Sequence, residues 1–215
     1  AAETGDESLL QAVRRLWDNV TQRRMYVTGG IGSAHEGERF TWDYHLPNYT
    51  AYSETCAAIG LVFWAHRMLA VEPKGEYADV MERALYNGVL SGISLSGDRF
   101  FYVNPLALDY AAYQQEMGVF GKSAVVPERQ EWFGCAFCPP NIARLLTSLG
   151  QYVYSQEEDA LYVHLYVGGR AEARLGDTSV TLTQDTGYPW REQVRLALEL
   201  EGETEFTLAL RLPGW

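Results

Sequence analysis

Residues 159–167 read Asp-Ala-Leu-Tyr-Val-His-Leu-Tyr-Val, and at this point the hydrophobic period of the chain changes. Leu161, Val163, Leu165 and Val167 alternate with Tyr162, His164 and Tyr166, the two-residue period of a strand with one buried face. Val180 and Leu182 follow, then Val194, Leu196, Leu198 and Leu200, then Phe206, Leu208, Leu210 and Leu212. Turn signals such as Gly168-Gly169 and Gly176-Asp177 separate these runs. The spacing predicts an antiparallel β-sandwich over residues 158–215, of which about five or six strands are present before Leu212-Pro213-Gly214-Trp215.

Upstream the period is helical. Leu9, Leu10, Val13, Leu16, Trp17 and Val20 make one apolar stripe. Residues 53–70 (SETCAAIGLVFWAHRMLA) are apolar nearly all round, as a helix buried among neighbours should be. A third helix is expected over 77–89, with Val80, Met81, Ala84, Leu85 and Gly88 on one face. A fourth is capped by Asn141 or opened by Pro140, with Ile142, Leu145, Leu146, Leu149, Tyr152 and Val153 beneath. Arg99 to Val103 reads as a short strand between the third and fourth helices. The stretch from Pro105 to Arg129 has no firm period and is longer than an ordinary connection, as lids and site walls often are. Repeated helical hairpins suggest a helical barrel, and four helices are too few to close one. The expected architecture is α+β and multidomain, with a partial helical domain over 1–157 and a partial β-domain over 158–215. Both halves are expected to continue in a longer protein.

Composition narrows the partners. The 215 residues carry a net charge of −11, which argues against a nucleic acid, since phosphate binding needs clustered Lys and Arg. No apolar run is long enough to span a membrane. The opening stretch AAETGDESLL has neither a basic nor an apolar region of the kind a signal peptide needs. Three cysteines cannot all pair within one chain, and they suit free thiols or metal ligands better than a disulfide framework.

Polar and sulfur residues concentrate in two places: Gly37-Glu38-Arg39-Phe40 through Tyr52-Ser53-Glu54-Thr55-Cys56, and Arg129 through Asn141, which includes Cys135-Ala136-Phe137-Cys138. Glu54 and Cys56, two apart at a helix start, converge only where the backbone is still irregular. With Cys135 and Cys138 they supply up to three thiolates and a carboxylate, enough for a tetrahedral zinc site. By spacing alone, a redox pair at Cys135 and Cys138 and a core thiol at Cys56 are equally open. The absence of a surrounding βαβ pattern disfavours a thioredoxin-like module.

Four runs are more specific: YVTGGIGSAHEGERFTWDYHLPNYTAYSETCA, EYADVMERALYNGVLSGISLSGDRFFYVNPL, EWFGCAFCPPNIARLL and the closing LPGW. Together they closely resemble glycoside hydrolase family 127, whose characterised members include bacterial β-L-arabinofuranosidases. The resemblance covers essentially the whole chain. It implies an (α/α)6 catalytic barrel followed by β-sandwich domains, L-arabinofuranose-containing glycans as partners, bound zinc and a bacterial cytoplasmic setting. It also implies an unusual retaining mechanism, in which a zinc-bound cysteine attacks the anomeric carbon. A glutamate protonates the leaving oxygen and then deprotonates the water that releases the sugar.

Position by position, the resemblance makes Glu38 the acid/base, Glu54 and Cys56 metal ligands, and Tyr102 a residue of the substrate pocket. The family's cysteine pair before Pro-x-Asn falls on Phe137 and Cys138. Cys138 keeps the ligand role, whereas Phe137 stands where the nucleophilic cysteine belongs, and a phenyl ring can neither attack carbon nor bind zinc. Cys135 is open between a structural thiol, a substitute ligand and a displaced nucleophile. His35 reads as a surface loop residue, and Asp43, Tyr44 and Asn48 as residues that shape the loop around Glu38. Three expectations follow: the Cys56 and Cys138 sulfurs lie within reach of one point, apolar faces stay open beside the 53–70 helix and favour a homo-oligomer, and hydrolysis by the thiolate route is negligible.

Overall fold

Asp6 opens the first helix, α1 (Glu7–Arg23), because its carboxylate accepts from the Ser8 backbone N–H at 2.9 Å and so satisfies one of the donors a helix start leaves over. The computed structural model describes residues 4–111, 126–135 and 137–215. Among the described residues the elements that follow include α2 (Thr55–Leu69), α3 (Gly75–Arg83), α4 (Cys138–Thr147) and the single turn α5 (Gly150–Val153). The six strands are β1 (Tyr154–Gln156), β2 (Ala160–Val163), β3 (Gly169–Leu175), β4 (Thr178–Thr186), β5 (Val194–Leu200) and β6 (Thr207–Leu210). Helices and sheets are segregated along the chain, an α+β arrangement. Packing defines two compact units, one of residues 1–63 and 83–143 and one of 64–82 and 144–215, so α2, α3 and α4 each contribute residues to both.

In the first unit, α1 buries only Trp17, Val20 and Thr21. Leu9 and Leu16, expected to complete its apolar stripe, are 48% and 59% exposed. On α2, by contrast, Ala58, Ile59, Leu61 and Val62 are all at most 1% exposed. Of these two helices, α1 is the one that leaves large apolar side chains open. The expected third helix is present, but after Arg83 it widens into a π-helical stretch (Ala84–Val89). Gly88 lets that stretch come against α2, since a Cβ there would lie 2.8 Å from the Ala58 methyl. The fourth helix starts earlier than expected, at Cys138, with Pro139 and Pro140 inside its first turn. Pro costs nothing there because first-turn N–H groups have no helical partner. The expected strand at 99–103 is reduced to isolated bridges, Ile93 with Phe100, Phe100 with Gln130 and Glu54 with Val103. Much of the irregular stretch 105–129 lies outside the described residues.

The second unit holds two three-stranded sheets, ordered β1-β2-β6 and β3-β4-β5. They share one core of Leu161, Val163, Tyr166, Leu175, Val180 and Leu182, flanked by Leu196 and Leu208. Two strands, β1 and β3, lie where no strand was expected, β3 beginning at the Gly168-Gly169 turn signal itself. Only one edge departs from the antiparallel expectation. β2 and β6 run parallel, with Leu161 opposite Leu208 and Val163 opposite Leu210. The chain reaches β6 only after completing the other sheet, so it returns beside β2 in the same direction, as a parallel pair requires a long crossover. The Leu-Pro-Gly-Trp end is held by a buried Arg211. Its guanidinium pairs with Asp79 at 2.5 Å and with Glu82 on α3, and its Nε donates to the His164 carbonyl at 2.6 Å. Glu82 also accepts from Tyr188 and from the Trp215 indole.

Candidate functional site

The start of α2 is pinned from three sides. The Thr55 N–H donates to the Tyr102 carbonyl at 2.9 Å, and its hydroxyl to the Phe101 carbonyl at 2.8 Å. The Asn104 amide spans the Ser53 carbonyl and the Thr55 hydroxyl. Beneath Ser53 lies Gly30, where a Cβ would sit 1.9 Å from the Ser53 hydroxyl, so only glycine lets the two backbones meet. Ser53 itself adopts φ +40°, and this kink turns Glu54 out of helical register just before α2 begins. Two residues two apart thereby present their side chains to one point, which a regular helix would forbid.

That point is shared with α4. The Cys56 and Cys138 sulfurs are 3.6 Å apart, and the Cys138 thiol donates to Glu54 Oε1 at 3.8 Å. All three ligand atoms lie within 4.8 Å of one another. Zn–S bonds of about 2.3 Å at a tetrahedral angle give a sulfur–sulfur distance of about 3.8 Å, so the donor set fits zinc in kind and in spacing. Cys56 is the second residue of α2 and Cys138 the first of α4, so two helix N-termini point their positive ends at the sulfurs. The pair nevertheless splits. The hydrogen bond between the two sulfurs lowers the Cys56 thiol below its ordinary value, while that bond, burial and the neighbouring negative charges push Cys138 up.

Glu38 sits at the tip of a loop closed by the Ala34–Arg39 bridge, with φ +47°, a conformation that non-glycine residues rarely adopt. Its carboxylate accepts a 3.0 Å hydrogen bond from the Tyr52 phenol. Glu54 is close enough for its charge to act on the same hydroxyl, and burial followed by that charge pushes Tyr52 well above the ordinary tyrosine range. One phenol therefore joins the acidic loop to the sulfur cluster. The edge of the His35 ring meets Tyr52 at 5.0 Å between centroids. The loop residues behind Glu38 are structural in their contacts. Asp43 pairs with Arg23 and Arg24 at 2.8 and 2.7 Å, the Tyr44 N–H donates to Arg23, and the Asn48 carbonyl accepts from Leu106 and Ala107.

Tyr102 is buried beside Tyr52, Phe100, Val103 and Cys138, with Phe133 packed against it at 5.6 Å. Cys135 is half-buried at the edge of this cluster and engages the Tyr102 hydroxyl rather than joining Glu54, Cys56 and Cys138. Phe137 holds the position directly before α4, where its carbonyl accepts from the Asn141 N–H at 3.3 Å, and its side chain is 67% exposed. Sequence reasoning assigned no role to Tyr52 or to the His35 ring. The signal available was position: Tyr52 stands two residues before Glu54, inside a run already singled out for its polar content.

The chain is similar throughout to known carbohydrate-active proteins. The model of the β-L-arabinofuranosidase GH127 catalytic domain matches residues 1–151, and that of the GH127 middle domain matches residues 160–215. A non-reducing end β-L-arabinofuranosidase of Bifidobacterium longum subsp. longum is 42% identical over 98% of this chain and 32% of its own length. The crystal structure of a GH127 β-L-arabinofuranosidase from Geobacillus stearothermophilus T6 superposes with a TM-score of 0.93 and 56% identity, over 100% of this chain and 33% of that one. A second solved GH127 β-arabinofuranosidase gives 0.89 and 44%, over 100% and 31%. The chain thus spans about a third of the length of these relatives. With both domain models matched in order and close relatives alike along its length, the chain belongs to glycoside hydrolase family 127, the β-L-arabinofuranosidase family.

Proposed function

We propose that this chain carries the acid/base and metal-ligand part of a site that takes β-L-arabinofuranosides, and that Phe137 removes the thiolate nucleophile of a retaining mechanism from it. The observation that carries the reading is the convergence of Glu54, Cys56 and Cys138 on one point, with Glu38 linked to it through Tyr52. In this reading residues 1–157 are part of an (α/α)6 barrel and residues 158–215 part of a β-sandwich. Tyr102 helps to line the sugar pocket. The ligand is an L-arabinofuranose-containing glycan, and the three free cysteines suit a reducing bacterial cytoplasm. Among the described residues, no helix is long and apolar enough to cross a membrane.

Glu54, Cys56 and Cys138 would hold zinc, whose chemistry there is to keep thiols deprotonated at neutral pH. The other tasks belong to the side chains. Glu38 gives its proton to the departing glycosidic oxygen and recovers one from the incoming water, while the Tyr52 phenol holds the carboxylate in place. With Phe137 before Cys138, no sulfur occupies the family's attacking position, and loss of a covalent nucleophile commonly costs several orders of magnitude in rate. The exposed Phe137 ring favours one second reading, a homologue that binds the sugar without turning it over.

The test is L-arabinose release by the complete protein, alongside binding of an arabinofuranoside by calorimetry. Binding with negligible release, restored by Phe137→Cys, is the expected result. Failure to bind would overturn the substrate assignment, and rapid release by the unaltered protein would overturn the loss of the nucleophile.

A further inference from the structure

Among the described residues three donor atoms, not four, converge at the sulfur cluster: a Glu54 oxygen and the sulfurs of Cys56 and Cys138. Structural zinc sites close with four protein ligands, whereas three leave a position to solvent or to an incoming molecule. Among the described residues, the neighbours that could complete the shell have other commitments. Phe137 offers no donor and turns its ring outward. The Tyr52 phenol is given to Glu38, and Cys135 engages Tyr102. Asn141 hydrogen-bonds the Cys56 sulfur through its side chain. Cys138 is fully buried and Glu54 nearly so, while Cys56 is half-buried and is the most accessible of the three.

We propose that the metal held by Glu54, Cys56 and Cys138 keeps one coordination position open to a small exogenous ligand, of the class of a monothiol. A soft, compact donor suits a centre already built on two thiolates. The inference rests on the metal reading above, and goes beyond it in assigning this chain an open centre with two thiolates rather than a closed one.

Cobalt(II) in place of zinc tests it, because thiolate-to-cobalt absorption counts the sulfurs bound. The complete protein is loaded with cobalt and titrated with 2-mercaptoethanol. The charge-transfer band should rise by roughly half and saturate, as two thiolates become three. In Phe137→Cys the band should start at that higher level and respond little to added thiol. A wild-type spectrum that ignores the thiol would overturn the open position, and loss of about a third of the band in Cys135→Ser would identify the residue that closes it. Failure to bind cobalt or zinc in stoichiometric amount would overturn the metal reading itself, and the inference with it.

Discussion

The phenol of Tyr52 donates to Glu38 Oε1 at 3.0 Å across 14 residues of chain, and the charge of Glu54 acts on the same hydroxyl. Tyr52 is 5% exposed, so its place is set by packing, whereas Glu38 rises on an exposed loop. The buried partner therefore positions the exposed one.

Tyr52→Phe keeps the packing and deletes this link. A hydrogen bond to a charged group contributes about 1.5–3 kcal/mol, less where solvent competes, so a loss of about tenfold in kcat is expected in a Phe137→Cys background. A change in KM alone, with kcat unmoved, would assign Tyr52 to sugar binding instead.

Glu38→Gln in the same background separates acid from base. Turnover of arabinofuranosides with poor leaving groups should fall by about 10²–10⁴, while substrates whose leaving group needs no proton keep their first step. Equal loss on both kinds of substrate would remove Glu38 from the acid role.

Arg211 is 2% exposed at its side chain and faces Asp79 and a nearly buried Glu82. Arg211→Met leaves Glu82 without its cation, and breaking a buried pair in this way costs about 3–5 kcal/mol. The denaturant midpoint should drop accordingly. Arg211→Met combined with Glu82→Gln should recover part of the loss, since the orphaned charge is then gone.

His164 is buried against Ser155, and burial, then the nearby His66 and Arg211 charges, lower its imidazole from 6.5 to about 4. The unfolded chain takes up a proton near pH 6.5 that the folded chain refuses until about pH 4. Stability is therefore full above pH 6.5, falls as pH drops through that window and levels off below it, by up to about 3 kcal/mol. Denaturation followed at several pH values should show this slope in the native chain and a shallower one in His164→Gln.

Local periodicity carried much of the architecture. The switch from a helical to a two-residue period near residue 159 is visible because side-chain burial repeats with each element's own geometry, and the helices and four of the six strands appear close to where it puts them. The residue types of the cluster were legible as well, since Glu54, Cys56 and Cys138 stand at helix starts and are side chains able to bind a metal, but spacing alone left a redox pair and a core thiol equally open. What the sequence could not carry is closure over distance. Cys56 and Cys138 are 82 residues apart, and their 3.6 Å approach depends on Gly30 yielding to Ser53 and on Phe100 pairing with Gln130. The parallel pairing of β2 with β6, the separation of Cys135 from the cluster and the reach of Tyr52 to Glu38 are likewise tertiary choices. Each is decided by which backbone groups and side chains compete for the same partner once the chain has folded, and that competition leaves no period in the sequence.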